Sequence, residues 1–184
     1  MKPDEFITAD THWGHSMLVK NRLRPFDTLA QMDETLVRAW NAKVPPRAIV
    51  YHLGDVGLCQ RKRLEWILRR LNGQIRLIRG NHDKNIKGSL LGYFDWVKDY
   101  YESTTPDGIK VVMSHYPFLT WNKSHWGSYS LHGHSHGNLQ VLPGLRMDVG
   151  VDTTSDWAPY SYEEIKAHMG QLKAGVFDHH VTGN

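Results

Sequence analysis

Ile75-Arg76-Leu77-Ile78-Arg79-Gly80-Asn81-His82-Asp83 is the stretch on which the reading of this chain turns. Its apolar run is too short for a helix and stops at a glycine, so it reads as a buried strand that hands a polar cluster to its C-terminal end. The same arrangement recurs upstream. Glu5 to Ala9 delivers Asp10-Thr11-His12, and Ala48 to Leu53, bounded by Pro45-Pro46 and Gly54, delivers Asp55. Between these runs, Leu29, Met32, Leu36 and Ala39/Trp40 repeat at helical spacing behind the capping candidates Asp27 and Thr28. Leu64, Ile67/Leu68 and Leu71 form a second helix face, stopped by Asn72-Gly73. Such strand–helix alternation predicts a largely parallel α/β half.

The second half of the chain changes character. Ile109 to Met113, Tyr129 to Leu131, Leu139 to Leu142 and Arg146 to Val151 are short strand candidates separated by Gly, Pro, Asn and Ser clusters. Little helix is expected until Ser161 to Met169, where Ser161 and Glu164 have the spacing of a capping box. A second, mixed sheet packed on the first follows. One domain is expected over residues 1–169, with a weakly structured tail over 170–184 in which Asp178-His179-His180 is solvated.

Composition narrows the class. At 184 residues the chain has length for one well-buried core. Its 40% hydrophobic and 22% charged residues exclude both disorder and a fibrous chain. No apolar run approaches the ~20 residues that span a bilayer. Met1-Lys2-Pro3-Asp4-Glu5-Phe6 carries acids where a secretory signal has its apolar run, and Cys59 is the single cysteine, so a reducing cytoplasm is the expected location. A net charge of +3 permits an anionic substrate without requiring one.

The chemistry lies in five runs: Asp10-Thr11-His12, Gly54-Asp55, Gly80-Asn81-His82-Asp83, Ser114-His115 and Gly133-His134-Ser135-His136. Each sits at the end of a strand candidate, where α/β sheets build their sites, so all can converge. Carboxylate, imidazole and amide oxygen without thiolate suit Mn, Fe, Zn or Ni better than Ca. The pattern predicts a two-metal hydrolase. Two ions ~3.5–4 Å apart sharing a carboxylate, for which Asp55 is the candidate, clamp the attacking and leaving oxygens and supply hydroxide near neutral pH. His82 is placed to hand a proton to the leaving oxygen.

In this order the runs resemble the calcineurin-like metallophosphoesterases, whose pattern is D-x-H, G-D, G-N-H-[D/E], H and G-H-x-H. The resemblance spans roughly residues 5 to 168, and Arg24-Pro25-Phe26 and Tyr51-His52-Leu53-Gly54-Asp55 are similar to a branch of small bacterial and phage phosphoesterases. It implies a four-layer α/β/β/α sandwich with two packed mixed sheets. Asp10, His12, Asp55 and His136 would hold one metal, and Asp55, Asn81, His115 and His134 the other. His82 would be catalytic, acting as general acid, with Asp83 orienting it. Gly54-Asp55-Val56-Gly57-Leu58 departs from many relatives in lacking a second acid, which bears on how that loop is anchored.

The function expected is phosphodiester hydrolysis on nucleotides or nucleic-acid ends, with a phosphomonoesterase or protein phosphatase as the alternative and a non-catalytic metal-binding module behind both. Two divalent ions are expected, manganese first, then iron, zinc, nickel or magnesium. No membrane and no obligate protein partner is expected. Arg24, His15 and His125 are the candidate substrate contacts, while His52 and His132 read as hydrogen-bonded core residues. The loop with Tyr116, Trp121, His125, Trp126 and Tyr129 allows either base stacking or packing between sheets.

Overall fold

The computed structural model describes residues 4–140 and 142–175. The first sheet contains β1 (Glu5–Thr8), β2 (Ile49–His52), β3 (Gln74–Ile78), β4 (Phe94–Lys98) and β9 (Tyr160–Ser161) in the order β4-β3-β2-β1-β9. Neighbours from β1 to β4 run parallel, whereas β9 is antiparallel to β1. The second contains β5 (Tyr100–Thr104), β6 (Lys110–Ser114), β7 (Tyr129–His132) and β8 (Arg146–Asp148), with β5 antiparallel and the others parallel. This is the α/β fold with two packed mixed sheets expected from the sequence.

Side chains alternate across each strand, and the two faces enter two cores. Phe6, Val50, Ile75 and Leu77 face α2 (Leu29–Lys43) and α3 (Arg61–Leu68), meeting Met32, Leu36, Trp40, Leu64 and Ile67 in a core that also takes Leu18 of the short α1 (Ser16–Lys20). Thr28 caps α2 through its side chain, accepting from Gln31 N at 3.1 Å, a contact of about 1 kcal/mol. Ile7, Tyr51, Leu53 and Ile78 face the other way, against Val111, Met113, Tyr129, Leu131 and Met147 of the second sheet. Helix α4 (Tyr162–Met169) starts with the Ser161–Glu164 capping box and packs Tyr162, Ile165 and Met169 into this inter-sheet core. The outer face of the second sheet is covered by the 116–128 loop. Arg146 holds it, donating to Phe118 O at 2.7 Å and Leu119 O at 3.0 Å with its guanidinium over Trp121.

Three expectations change. Leu139 to Leu142 contains no strand among its described residues; Leu139 and Gln140 are exposed, and the run is framed by Gly137-Asn138 and Pro143-Gly144. Strand β8 is shorter than the expected Arg146 to Val151, because the Asp148 carboxylate accepts from Gly150 N at 2.9 Å and turns the chain. Strands β4, β5 and the two-residue β9 were not anticipated. Of the expected tail, residues from 176 onward lie outside those described, Asp178-His179-His180 among them. No helix among the described residues is long and apolar enough to cross a membrane.

Candidate metal centre

The C-terminal ends of β1, β2, β3, β6, β7 and β8 meet at one edge of the sandwich. Backbone bonds fix the loops there, Asp10 N to Gly54 O at 2.9 Å within the first sheet, Gly133 N to His115 O at 3.0 Å within the second, and Val151 N to Ala9 O at 3.1 Å between the two. Asp10, His12, Asp55, His134 and His136 all have φ between 48° and 70°. For an L-residue the left-handed region costs about 1–2 kcal/mol, so a cluster of five marks a backbone held against its preference to aim side chains inward. Gly54 has φ +96°, and a Cβ there would meet Gly80 N at 2.5 Å and His115 Nδ1 at 2.6 Å. Only glycine lets those loops pass.

Two donor groups result. Asp10, His12 and His136 offer ligand atoms within 4.8 Å of one another, and Asp55, His115 and His134 do the same. Asp55 reaches both, with Oδ2 at 3.6 Å from His12 Nε2 and 3.6 Å from His115 Nε2. Asn81 joins the second group, its Oδ1 3.0 Å from His115 Nε2. The structure thus brings all seven expected ligand residues together.

Their polar atoms fit a cation. His115 Nδ1 lies 2.8 Å from Leu53 O and donates to it, so Nε2 keeps its lone pair facing the oxygens of Asn81 and Asp55. Three acceptors converge with no proton between them. Asp10 Oδ2 accepts from His134 N at 2.9 Å, while its buried Oδ1 has no protein partner. Burial pushes the Asp10 carboxyl up to about 8 and the His12 imidazole down to about 2, the latter with help from Arg24. A bound divalent ion would offset the buried charge of Asp10, and the neutral His12 offers it a free lone pair.

One further group was not read from the sequence. Asp152 Oδ2 lies 2.6 Å from His136 Nδ1 and accepts its N–H, turning Nε2 toward the centre. Arg24 grips the same carboxylate with Nε and Nη2, both at 2.7 Å. Burial alone would push Asp152 up, but the bonds from His136 and Arg24 hold it down to about 2, and the same bond raises His136. Carboxylate–imidazole–metal relays of this form fix tautomer and ring orientation. The signal available was an acid just after a strand candidate, in Gly150-Val151-Asp152.

This overturns the expectation that Arg24 meets phosphate. Arg24 is buried, and its five N–H groups go to the two Asp152 oxygens, Asp10 O, Thr11 O and Met32 Sδ, leaving no donor for a ligand. Asp83 is corrected too. Its carboxylate accepts from the backbone N–H of Asp55 at 2.8 Å, Val56 at 2.9 Å and Gly80 at 2.8 Å, not from the His82 ring. It anchors the Asp55 loop, the task that the absent second acid had left open. His125 is not at the centre: it packs on Trp126 at the start of β7, and Trp126 borders a hollow with Asp107 and Lys110 at the far end of the sheet. Trp121 and Tyr129 are buried in packing.

His82 stands at the mouth. Its side chain is 40% exposed, Nε2 is 4.0 Å from Asp55 Oδ2, and its backbone N–H donates to Asp55 Oδ1 at 2.9 Å. His15 is close by, its ring 5.5 Å from His12 and 6.4 Å from His82. His52 is fully enclosed, with Nε2 2.9 Å from Thr11 Oγ1, and His132 Nδ1 lies 3.0 Å from Gly133 O, both as structural residues.

Fold and donors together define a two-sheet α/β protein with a divalent-metal centre at its strand ends. The chain belongs to the calcineurin-like phosphoesterases, a family of hydrolases whose model matches residues 6–152. It is 35% identical over 135 residues to an uncharacterized protein of Methanocaldococcus jannaschii, covering 72% of this chain and 69% of that one. The Gene 66 protein of Mycobacterium phage L5 is 28% identical over 179 residues, 80% of this chain and 86% of its own. Among solved structures, a protein of unknown function from Aquifex aeolicus superposes with a TM-score of 0.70 at 24% identity, over 89% of this chain and 98% of that one.

Proposed function

We propose that this protein hydrolyses phosphodiesters derived from nucleotides or nucleic acids, using two divalent ions held by Asp10, His12, Asp55, Asn81, His115, His134 and His136. The observation that carries the diester reading is the supply of positive side-chain charge. Arg24 has spent every donor inside the protein, and Arg79 has its Nη1 committed to Asp83 O and Ile86 O. A monoester dianion needs more cationic help than a diester monoanion, and the side chains left at the mouth, His15 and His82, are imidazoles and not guanidinium groups.

Two ions bound there would supply hydroxide at neutral pH and offset charge developing on the phosphate. Manganese is the first to test, because the donors are nitrogen and oxygen without thiolate. The His82 ring, open to solvent and fixed through its own backbone by Asp55, delivers the proton that the departing oxygen needs. Asp152 and Arg24 keep His136 in one tautomer while this occurs, and Asp83 keeps the Asp55 loop in register with Gly80-Asn81. We take residues 1–169 as the catalytic domain and the cytoplasm as its location.

The test is kcat/KM for bis-p-nitrophenyl phosphate against p-nitrophenyl phosphate, with the same metal and pH. A diester advantage is expected. A monoester advantage of about tenfold, or ~1.4 kcal/mol in transition-state stabilisation, would replace this reading with a phosphomonoesterase.

A further inference from the structure

The candidate centre opens on a hollow of about 320 Å³ beside the second donor group, lined by Arg79, Asn81, Asp99, His115, Tyr116 and Phe118. Tyr116 is 48% exposed, yet its ring is fixed edge-on against His115 at 5.0 Å and His134 at 4.7 Å between centroids. Ser114 Oγ donates to Tyr116 O at 2.8 Å and sets the turn that places it. Phe118 is 37% exposed, with its ring 6.2 Å from that of Tyr100, itself 41% exposed. Exposed aromatic surface therefore starts on the ligands of one metal group and leads away from them.

We propose that this hollow is a nucleoside subsite, which receives the base and sugar attached to one ester oxygen of the scissile phosphate. The inference rests on the diester reading and names what that diester carries. Two properties of the walls select the ligand. Tyr116 and Phe118 offer ring faces, which any base covers by stacking regardless of sequence. Across from them, exposed Asp99 disfavours a second phosphate but accepts hydrogen bonds from sugar hydroxyls or a base's exocyclic amine. A purely apolar ester group would leave the exposed Asp99 carboxylate unused, and a second phosphate placed beside it would be disfavoured. A base and its sugar engage both walls.

The experiment compares thymidine 5′-(p-nitrophenyl phosphate) with methyl p-nitrophenyl phosphate, which share a leaving group and differ in the group that would occupy the hollow. The ratio of their kcat/KM values should favour the nucleotide, and should fall about tenfold in Phe118→Ala and in Tyr116→Ala, the loss of one stacking partner. Trp126→Ala, whose exposed ring lies at the far end of the sheet, should keep the wild-type ratio. Binding of a dithymidine methylphosphonate, which resists hydrolysis, should weaken by a similar factor in the same two variants. Because Tyr116 touches His115 and His134, Phe118→Ala is the variant that decides. An unchanged ratio and unchanged dinucleotide binding in Phe118→Ala overturn the subsite. If neither nitrophenyl diester is cleaved by wild type, the diester reading fails, and the binding measurement still tests the hollow.

Discussion

The two donor groups differ in how their third members are held. In the first, Asp10 and His12 are buried, and His136 is locked by Asp152, which Arg24 locks in turn. In the second, Asp55 and His115 are equally buried, but His134 is exposed and bordered by the half-open ring of Tyr116. One half of the centre is braced from behind; the other faces the hollow through which a substrate group can arrive. A braced imidazole keeps its lone pair aimed and its proton elsewhere, which favours retention of an ion. An exposed one leaves room for exchange and for ligand entry. The centre is thus asymmetric, with retention on the Asp10 side and access on the Asp55 side.

The strongest test of that asymmetry is Asp55→Asn. Asp55 is the sole carboxylate of the second group, whereas the first keeps Asp10. An amide cannot neutralise two neighbouring cations, so bound manganese should fall from two ions to one per chain, with hydrolysis abolished. The surviving ion should sit with Asp10, His12 and His136. Elemental analysis and electron paramagnetic resonance of the reconstituted variant read both count and coupling. Two coupled ions in this variant would show that Asp55 does not join the groups.

His82→Ala should act at the mouth and leave both groups loaded. The side chain belongs to neither set of donors, so metal content should match wild type while kcat on an alkyl-leaving diester falls by roughly 10²–10⁴-fold. A p-nitrophenolate leaving group needs little protonation and should show a smaller loss. Depletion of an ion in this variant would move His82 from proton donor to ligand.

What was legible in the sequence follows the same physical divide. The runs ending in Asp10, Asp55 and Asn81 could be read because each central strand is short, apolar and closed by polar residues or glycine, and their ends must share an edge in a parallel sheet. Strands β4 and β5 escaped notice because they are edge strands with half-exposed side chains, which blurs the period of two. His125 misled because β6 and β7 are parallel. The chain leaving His115 must return along the whole sheet before β7 begins, so ten residues of sequence carry His125 to the opposite end. Asp83 misled through adjacency: next to His82 in sequence, it turns inward to backbone N–H groups while the ring turns out. Nothing in Asn21-Arg22-Leu23-Arg24 marks which arginine is buried, and its partner Asp152 lies 128 residues away.

That distant pair supplies the mildest of the three perturbations. Asp152→Asn keeps the size of the side chain and can keep a contact to His136, but it removes the charge that Arg24 grips and that favours the Nδ1 proton. The His136 ring then loses the preference that presents Nε2 to the centre. Altering an outer partner of this kind usually costs about 10–100-fold in metal affinity, so the first group should weaken by that amount while the second holds its ion as before. The two affinities can be separated by competition with a chelator, following manganese release in two steps. Only the tighter step should move, because Asp152 contacts nothing in the Asp55 group. Equal weakening of both steps would mean that the groups titrate as one unit, with Asp55 transmitting the loss. No weakening would mean that His136 is aimed by its strained backbone alone, at φ 49°, and that Arg24 and Asp152 serve the fold and not the ion.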